Sequence, residues 1–532
     1  MFSKEKLERI AKAYRTLLSK ATASEGAYRK FLFGIARRAR KRLARIGVVL
    51  RDRPDGNVTF APKLSRVTSH DADYVRAAEI VKFIQAEKLS YGNLIKASPS
   101  WAICLNTYNL SSEISDILTR VIPPLISEYA ILSRRFLLAV LDGRDVPYGN
   151  VALFGVPDEV INLWRKAALH GPMFPYCYRP DLLITPSGEV IILEFNVDTR
   201  LDRGVAVGVS EYCQVSLPTA GLRFVGTGLA QAYASAARRL SGLDQLSAAT
   251  VVNNSCRSEY FAQERFFCRR VSTNRGVDWQ LLSTDDIGAS LQRDRPRVSR
   301  GKFDILNLEM EILDGPWKHR PEEVRFIDGI LARSDLNLLG TVLPFADKLL
   351  FSTVGQGGDA STGLKSILCR TMLLDDERHQ SAIASGRSGL DDHYVLKRTG
   401  IFRDTTGSKG VIISSDVPRD QWEGALENAL SDMRSGSSGW VLQPRMTPQK
   451  YAVRYRYSLN GATRQDDCFI RLSAYYTQTN AMLSASKEAE SPRYALAGAV
   501  ATAGTDEETL RKTLFTIRGL RQSTYMGVTT NA

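Results

Sequence analysis

The sequence predicts a mixed α/β (α+β) protein of several lobes, and three observations predict it. Its 532 residues are too many for a single core. Short apolar β-forming runs alternate with helical patterns from about residue 245 to the C-terminus, which argues for open sheets covered by helices. Residues 1–95, by contrast, carry mainly helical patterning.

The N-terminal region, residues 1–95, opens with "MFSKEKLERIAKAYRTLLSK", charged and amphipathic from the start. It lacks the apolar core and small-residue cleavage site of a secretory signal, and no apolar run of the chain approaches the length of a membrane span. A cytoplasmic location is the expectation. Much of the net charge of +14 sits in residues 28–53, "YRKFLFGIARRARKRLARIGVVLRDR", where ten basic side chains face one acid. Phe31, Phe33, Ile35, Ala39, Leu43 and Ile46 have helical spacing, so the stretch reads as a basic amphipathic helix. Such a helix suits RNA, an anionic membrane surface or an acidic partner, and equally a solvated face packed on the protein by its apolar stripe. A turn is expected at Pro54, Asp55 and Gly56.

The seven cysteines are scattered, odd in number and form no C-x-x-C pair, which argues against a disulfide framework or a zinc knuckle. Five histidines, none in H-E-x-x-H spacing, leave little to build a His-based metal site or a Ser-His-Asp triad on.

Residues 96–240 are expected to hold paired helices over 111–142 that meet at Pro123 and Pro124, a hairpin, and a helix over 219–240. The hairpin, "RPDLLITPSGEVIILEFNVDTRLDRG", has apolar strands with polar residues at its open end. With "PSGE" as the turn, Thr185 faces Val190, Asp181 faces Glu194 and Arg179 faces Asn196. All four polar side chains then share one face, with opposed Cβ atoms roughly 5 Å apart. Two carboxylates opposed in a partly dry site repel each other and call for a cation between them. Mg2+ suits the pair: it prefers hard oxygen ligands, uses one or two protein carboxylates and completes its shell with water and phosphates. Asn196 adds an amide oxygen, and Arg179 is a bidentate donor for phosphate. The plain alternative is a surface hairpin whose strands end in polar residues because they end at the surface. Asp198 and Asp202 follow at once and either serve the site or solvate the loop.

A nucleotide also needs cations for its phosphates and a pliable backbone to close over them. In "YVLKRTGIFRDTTGSKGVIIS", Lys397 lies near the end of an apolar strand, and Gly407, Ser408 and Gly410 belong to a polar loop whose amides suit phosphate oxygens. The order is not that of a Walker A sequence, and a glycine-containing loop between buried strands explains it as well. "WVLQPRM" is an apolar strand that stops at Gln443, a segment that either walls an adenine or is simply core. Lys348, on an apolar segment, is a further candidate phosphate ligand or a snorkelling side chain.

With these residues laid out, the chain resembles the circularly permuted ATP-grasp ligases, especially the synthetase domain of glutathionylspermidine synthase. The "R-x-D... E-[YF]-N-x-D" hairpin of that family is matched by Arg179, Asp181, Glu194, Asn196 and Asp198, and here it precedes the nucleotide lysines, which is the permuted order. The "N-K" lysine is matched by Lys348, the "V-L-K-P" lysine and its glycine flap by Lys397 and residues 407–410, and the hinge strand by "WVLQPRM". Pro444 and Arg445 stand where the hinge acid of the family would be. The resemblance implies a helical segment plus metal-platform hairpin over 96–240, an inserted small α/β segment over 241–330 and a nucleotide-binding lobe with the C-terminal part over 331–532. It implies an ATP-dependent carboxylate–amine ligase that works through an acyl phosphate with ATP and Mg2+, on small-molecule or peptide acid and amine substrates. Asp181, Glu194 and Asn196 would hold the metal; Lys348, Lys397, Gly407, Ser408, Gly410 and Gln443 would hold ATP; Arg179 and Arg471 would serve the reacting groups. An ATP-grasp kinase, or a nucleotide-binding or RNA-binding protein without catalysis, is the alternative.

Overall fold

The computed structural model describes residues 49–52, 58–61, 72–87, 89, 102–198, 202–217, 221–225, 228–252, 260–283, 297–298, 301–308, 321–333, 336–375, 377, 394–399, 410–456, 459, 462–480, 491–504 and 523–531. The chain divides into two compact units, residues 1–75 with 459–462 and residues 76–458 with 463–532. In the first unit, Val49–Asp52 and Val58–Ala61 pair as antiparallel strands on either side of the Pro54-Asp55-Gly56 sequence. The end of the expected basic helix is therefore strand; its remainder, residues 28–48, lies outside the described residues.

The second unit is mixed α/β. Its largest sheet has nine strands, with Arg464–Gln478 at the centre, flanked on one side by Lys450–Arg456 and on the other by Tyr494–Gly504. Strand Cys177–Ile184 also pairs with Arg464–Gln478, setting Leu182 opposite Leu472 and Asp181 opposite Ser473. The hairpin, Cys177–Ile184 and Val190–Val197, is thus an arm of this sheet. Leu222–Phe224, expected as helix, is a strand on Ser523–Asn531; the following helix runs Leu229–Ser241.

Behind the hairpin, the expected helix pair over 111–142 is one continuous helical run. Ser112–Asp116 passes through a π-turn at Ile117–Val121 into Ile122–Leu141. Pro123 and Pro124, which have no N–H to donate, follow directly on that π-turn, and the run continues through them. Its inner face, with Ile122, Ile126 and Tyr129, shares one core with Leu182, Ile192 and Phe195 of the hairpin and with Leu472 and Ala474.

Among the described residues, two four-stranded sheets and a short antiparallel pair, Arg297–Val298 with Gly301–Lys302, complete this unit. Leu246–Val252, Val277–Ser283, Ile305–Leu308 and Asn337–Leu339 form a four-stranded sheet in which every pairing is parallel. The other sheet is antiparallel, in the order Met372–Leu373, Trp440–Pro444, Tyr394–Arg398, Val411–Ile413. Side chains alternate across it. Leu396 and Leu442 bury against Trp422, Leu426 and Leu430 of helix Arg419–Ser435. The opposite face carries Lys397, Val441 and Gln443; there Val441 packs on Leu349 of helix Lys348–Gln356.

Among the described residues, no helix is long and apolar enough to cross a membrane.

Candidate functional site

The hairpin opposes the pairs expected from its sequence, Asp181 with Glu194 and Arg179 with Asn196, by a route the sequence did not suggest. At the tip Ile184, not Thr185, faces Val190, and the same offset continues through Leu183 with Ile191 and Leu182 with Ile192. Between Asp181 and Leu182 the register shifts by one residue. Leu193 is the extra residue of this bulge, and beyond it the polar pairs come into register.

Arg179 and Asp181 are buried, whereas Glu194 and Asn196 are partly exposed at the mouth of the site. Asp181 Oδ1 accepts from Ser473 Oγ at 3.0 Å and lies 3.5 Å from Arg179 Nε. Its Oδ2 lies 3.9 Å from Arg471 Nη1 and has no hydrogen-bond partner. Nε and Nη2 of Arg471, itself only 9% exposed, are likewise buried and unpartnered. Ser473 is a site residue the sequence reading missed, although a period of two places it on the face of Arg471.

Arg179 Nη1 donates to Asp202 Oδ2 at 3.1 Å. Burial opposes the guanidinium charge, but Asp181, Tyr475, Asp202 and Glu194 outweigh it and hold Arg179 above the ordinary arginine value. Burial pushes the Asp202 carboxyl up to about 6 despite that arginine. Asp198 accepts backbone N–H groups from Tyr176, Cys177 and Thr341 at 3.2, 2.8 and 2.8 Å, while burial pushes its carboxyl up to about 7. Both aspartates are buried; Asp198 ties backbone segments together and Asp202 holds Arg179.

The antiparallel sheet brings a lysine to the hairpin's mouth: Lys397 Nζ lies 3.8 Å from Glu194 Oε2. Burial raises the proton affinity of Glu194, but Lys397, Lys348, Arg471 and Arg179 overcome it and hold the carboxyl below its usual range. Burial lowers Lys397, and Lys348 adds to that against the pull of Glu194. Lys348 reaches this field from the first turn of helix Lys348–Gln356, whose start is capped by the Asp347 carboxylate accepting from Leu349 N at 2.9 Å. The structure thus brings Arg179, Asp181, Glu194, Asn196, Lys397 and Arg471 together, with Lys348 near enough to act on Glu194 and Lys397 through its charge.

The other expected residues stand differently. Gln443 is buried, and its Nε2 donates to the Leu193 carbonyl at 3.1 Å and to Thr371 Oγ1 at 2.9 Å, so its side chain already serves the protein. Gly410 has φ +67 and opens strand Val411–Ile413, its carbonyl accepting from Arg398 N at 2.9 Å. Gly407 and Ser408 lie outside the described residues.

Oxygen atoms of the kind magnesium takes are present here. Asp181 Oδ2 is a buried carboxylate oxygen lacking a donor, Glu194 stays ionised beside it, and Asn196 turns Nδ2 towards the Arg179 carbonyl at 3.5 Å, leaving Oδ1 for a ligand. No cluster of three or more His, Cys, Asp or Glu side chains suited to a metal occurs among the described residues.

No family model and no curated protein matches the sequence. Among solved structures, the chain is similar to a glutathione synthetase-like effector (GSS30) from Globodera pallida in its apo form, with 12% identity and a TM-score of 0.54 over 85% of this chain and 96% of that one. At that identity the likeness bears on fold, and the fold of this chain is a mixed α/β fold like that of a glutathione synthetase-like protein.

Proposed function

We propose that the protein is an ATP-dependent carboxylate–amine ligase of the circularly permuted ATP-grasp type. The observation that carries the reading is the opposition of Asp181 and Glu194 on the hairpin together with the approach of Lys397, from a separate sheet, to Glu194, with the charge of Lys348 acting on both members of that pair. In this reading Asp181, Glu194 and Asn196 hold Mg2+, which screens the charge of the phosphates when bound. Lys348 and Lys397 hold the α- and β-phosphates, with Gly407, Ser408 and Gly410 as further ligands of ATP. Arg179 is held rigid by Asp202 and stabilises the phosphoryl group in transfer, while Arg471 presents free guanidinium donors to the acid substrate.

The substrate carboxylate oxygen bonds to the γ-phosphorus as the bond to ADP breaks. The amine then attacks the acyl carbon, phosphate leaves, and the amine proton passes to solvent. The buried setting of Asp181, Arg179 and Arg471 strengthens each of these contacts and limits hydrolysis of the acyl phosphate.

One observation favours a second reading, a nucleotide-binding protein without ligase activity. At the hinge, Gln443 is engaged with Leu193 and Thr371, and Pro444 has no N–H to offer an adenine edge. Incubation with Mg·ATP and panels of acids and amines separates the two. Release of ADP and phosphate that depends on both co-substrates, with a new amide by mass spectrometry, is expected. Nucleotide binding with no turnover on any pair would favour the second reading, and no binding at all would sink both.

A further inference from the structure

We infer that Gln443 is a positioning residue: from the antiparallel sheet it holds the Leu193 bulge that turns Glu194 towards Asp181. The inference rests on the ligase reading only for its kinetic consequence, since the geometry stands by itself. If the tip register continued, Leu193 would face Asp181 and Glu194 would turn to the other side of the hairpin, because a slip of one residue flips every side chain. The bulge at Leu193 therefore decides whether the two carboxylates meet.

A bulge leaves its residue outside the regular ladder, and a buried carbonyl there needs a donor from elsewhere. Gln443 Nε2 supplies it to the Leu193 carbonyl at 3.1 Å, and its second proton goes to Thr371 Oγ1 at 2.9 Å. Thr371 Oγ1 donates in turn to the Cys369 carbonyl at 2.9 Å, and Cys369 N donates to the Ile192 carbonyl at 2.9 Å. Both residues leading into Glu194 are thus pinned by one short hydrogen-bonded chain. Gln443 and Lys397 also project from the same face of adjacent strands, since Gln443 pairs with Val395 and Lys397 with Val441. Neighbouring side chains of one sheet so grip successive residues of the hairpin, Gln443 the carbonyl of Leu193 and Lys397 the carboxylate of Glu194. The sheet that supplies the lysine also sets the register of the acid it meets.

The test is Gln443→Met, which keeps volume and removes both donors, beside Thr371→Val, which removes the hydroxyl that accepts from Gln443 and donates to the Cys369 carbonyl but leaves the bond from Gln443 to Leu193 in place. In crystal structures the Gln443→Met hairpin is expected to lose or shift its bulge, with Glu194 out of register with Asp181. In Mg2+-dependent ATP turnover the Mg2+ concentration for half-maximal rate is expected to rise about tenfold in Gln443→Met and less in Thr371→Val, with kcat reduced less and the melting temperature lowered as the loss of those hydrogen bonds requires. In a Glu194→Gln background, Gln443→Met is expected to add nothing to Mg·ATP affinity. An unshifted bulge in the crystal structures, or an equal fall in all kinetic constants that merely tracks lost stability, overturns the inference. Wild-type protein without ATP turnover would instead sink the ligase reading, and the crystal structures would still decide the role of Gln443.

Discussion

Lys397 Nζ and Glu194 Oε2 meet at 3.8 Å across the junction between the antiparallel sheet and the platform hairpin, and each moves the proton affinity of the other. Burial and the neighbouring Lys348 lower Lys397, so it loses its charge at a lower pH than an ordinary lysine, whose value is about 10.4. A phosphate ligand must be charged to act. The alkaline limb of kcat/KM for ATP is therefore expected below that ordinary value. Lys397→Arg, which stays charged throughout, is expected to abolish the limb. A limb that is unmoved in Lys397→Arg assigns it to another group.

The two carboxylates of the platform are expected to part company on mutation. Glu194, partly exposed at the mouth, tolerates Glu194→Gln with a stability change within about 1 kcal/mol while Mg2+-dependent turnover disappears. Asp181 is buried between Arg179, Arg471 and Ser473, so Asp181→Asn leaves two guanidinium groups short of a counter-charge and costs about 3 kcal/mol or more in addition to activity. Urea denaturation beside steady-state assays checks both. Full turnover in either variant contradicts the metal assignment.

How much of this was legible in the sequence follows from which distances along the chain each feature spans. The hairpin was legible, since Pro186 and Gly188 mark the turn and alternation marks the strands. Its polar register came out as expected only because two displacements cancel: the tip pairs Ile184 with Val190, and the bulge at Leu193 restores the offset. No local pattern marks that bulge, because the donor that satisfies it, Gln443, lies 250 residues away. Leu222–Phe224 read as helix for the same reason: its strand partner is Ser523–Asn531. Lys397 was legible as a lysine on an apolar strand, but its proximity to Glu194 depends on the docking of two sheets and belongs to tertiary structure alone.

Beside the site, Arg203 is fully buried, its Nη2 donating to Glu264 Oε2 at 2.7 Å and its guanidinium stacked over Tyr233 and Phe267 at 5.0 and 4.8 Å. Asn307, with its amide oxygen turned inward, accepts from Nη1 at 2.9 Å. This cluster joins the helix that begins next to Asp202 to the parallel sheet. Removing one charge of a buried pair strands the other, so Arg203→Met and Glu264→Gln are each expected to cost roughly 3 to 5 kcal/mol. The double variant is expected to cost less than their sum. Equilibrium denaturation of the cycle measures the coupling, and simple additivity would refute it.

The next residue, Gly204, lets the helix Arg203–Ser216 lie directly on the helix Tyr260–Ser272. A Cβ there would come within 2.1 Å of the Gln263 carbonyl oxygen and 2.5 Å of its carbon, and since both are backbone atoms no side chain can swing away to make room. Gly204→Ala is therefore expected to push the helices apart and destabilise the protein by about 2 kcal/mol or more, although alanine is the better helix former. Gly329, in the helix Pro321–Leu331, provides the control, because a Cβ there meets nothing within 4 Å. Gly329→Ala keeps the propensity gain without the clash and is expected to raise stability by about 0.5 to 1 kcal/mol. Opposite signs for the two substitutions in one denaturation series show that helix contact decides at residue 204, and a neutral Gly204→Ala would mean that the two helices do not approach as closely as described.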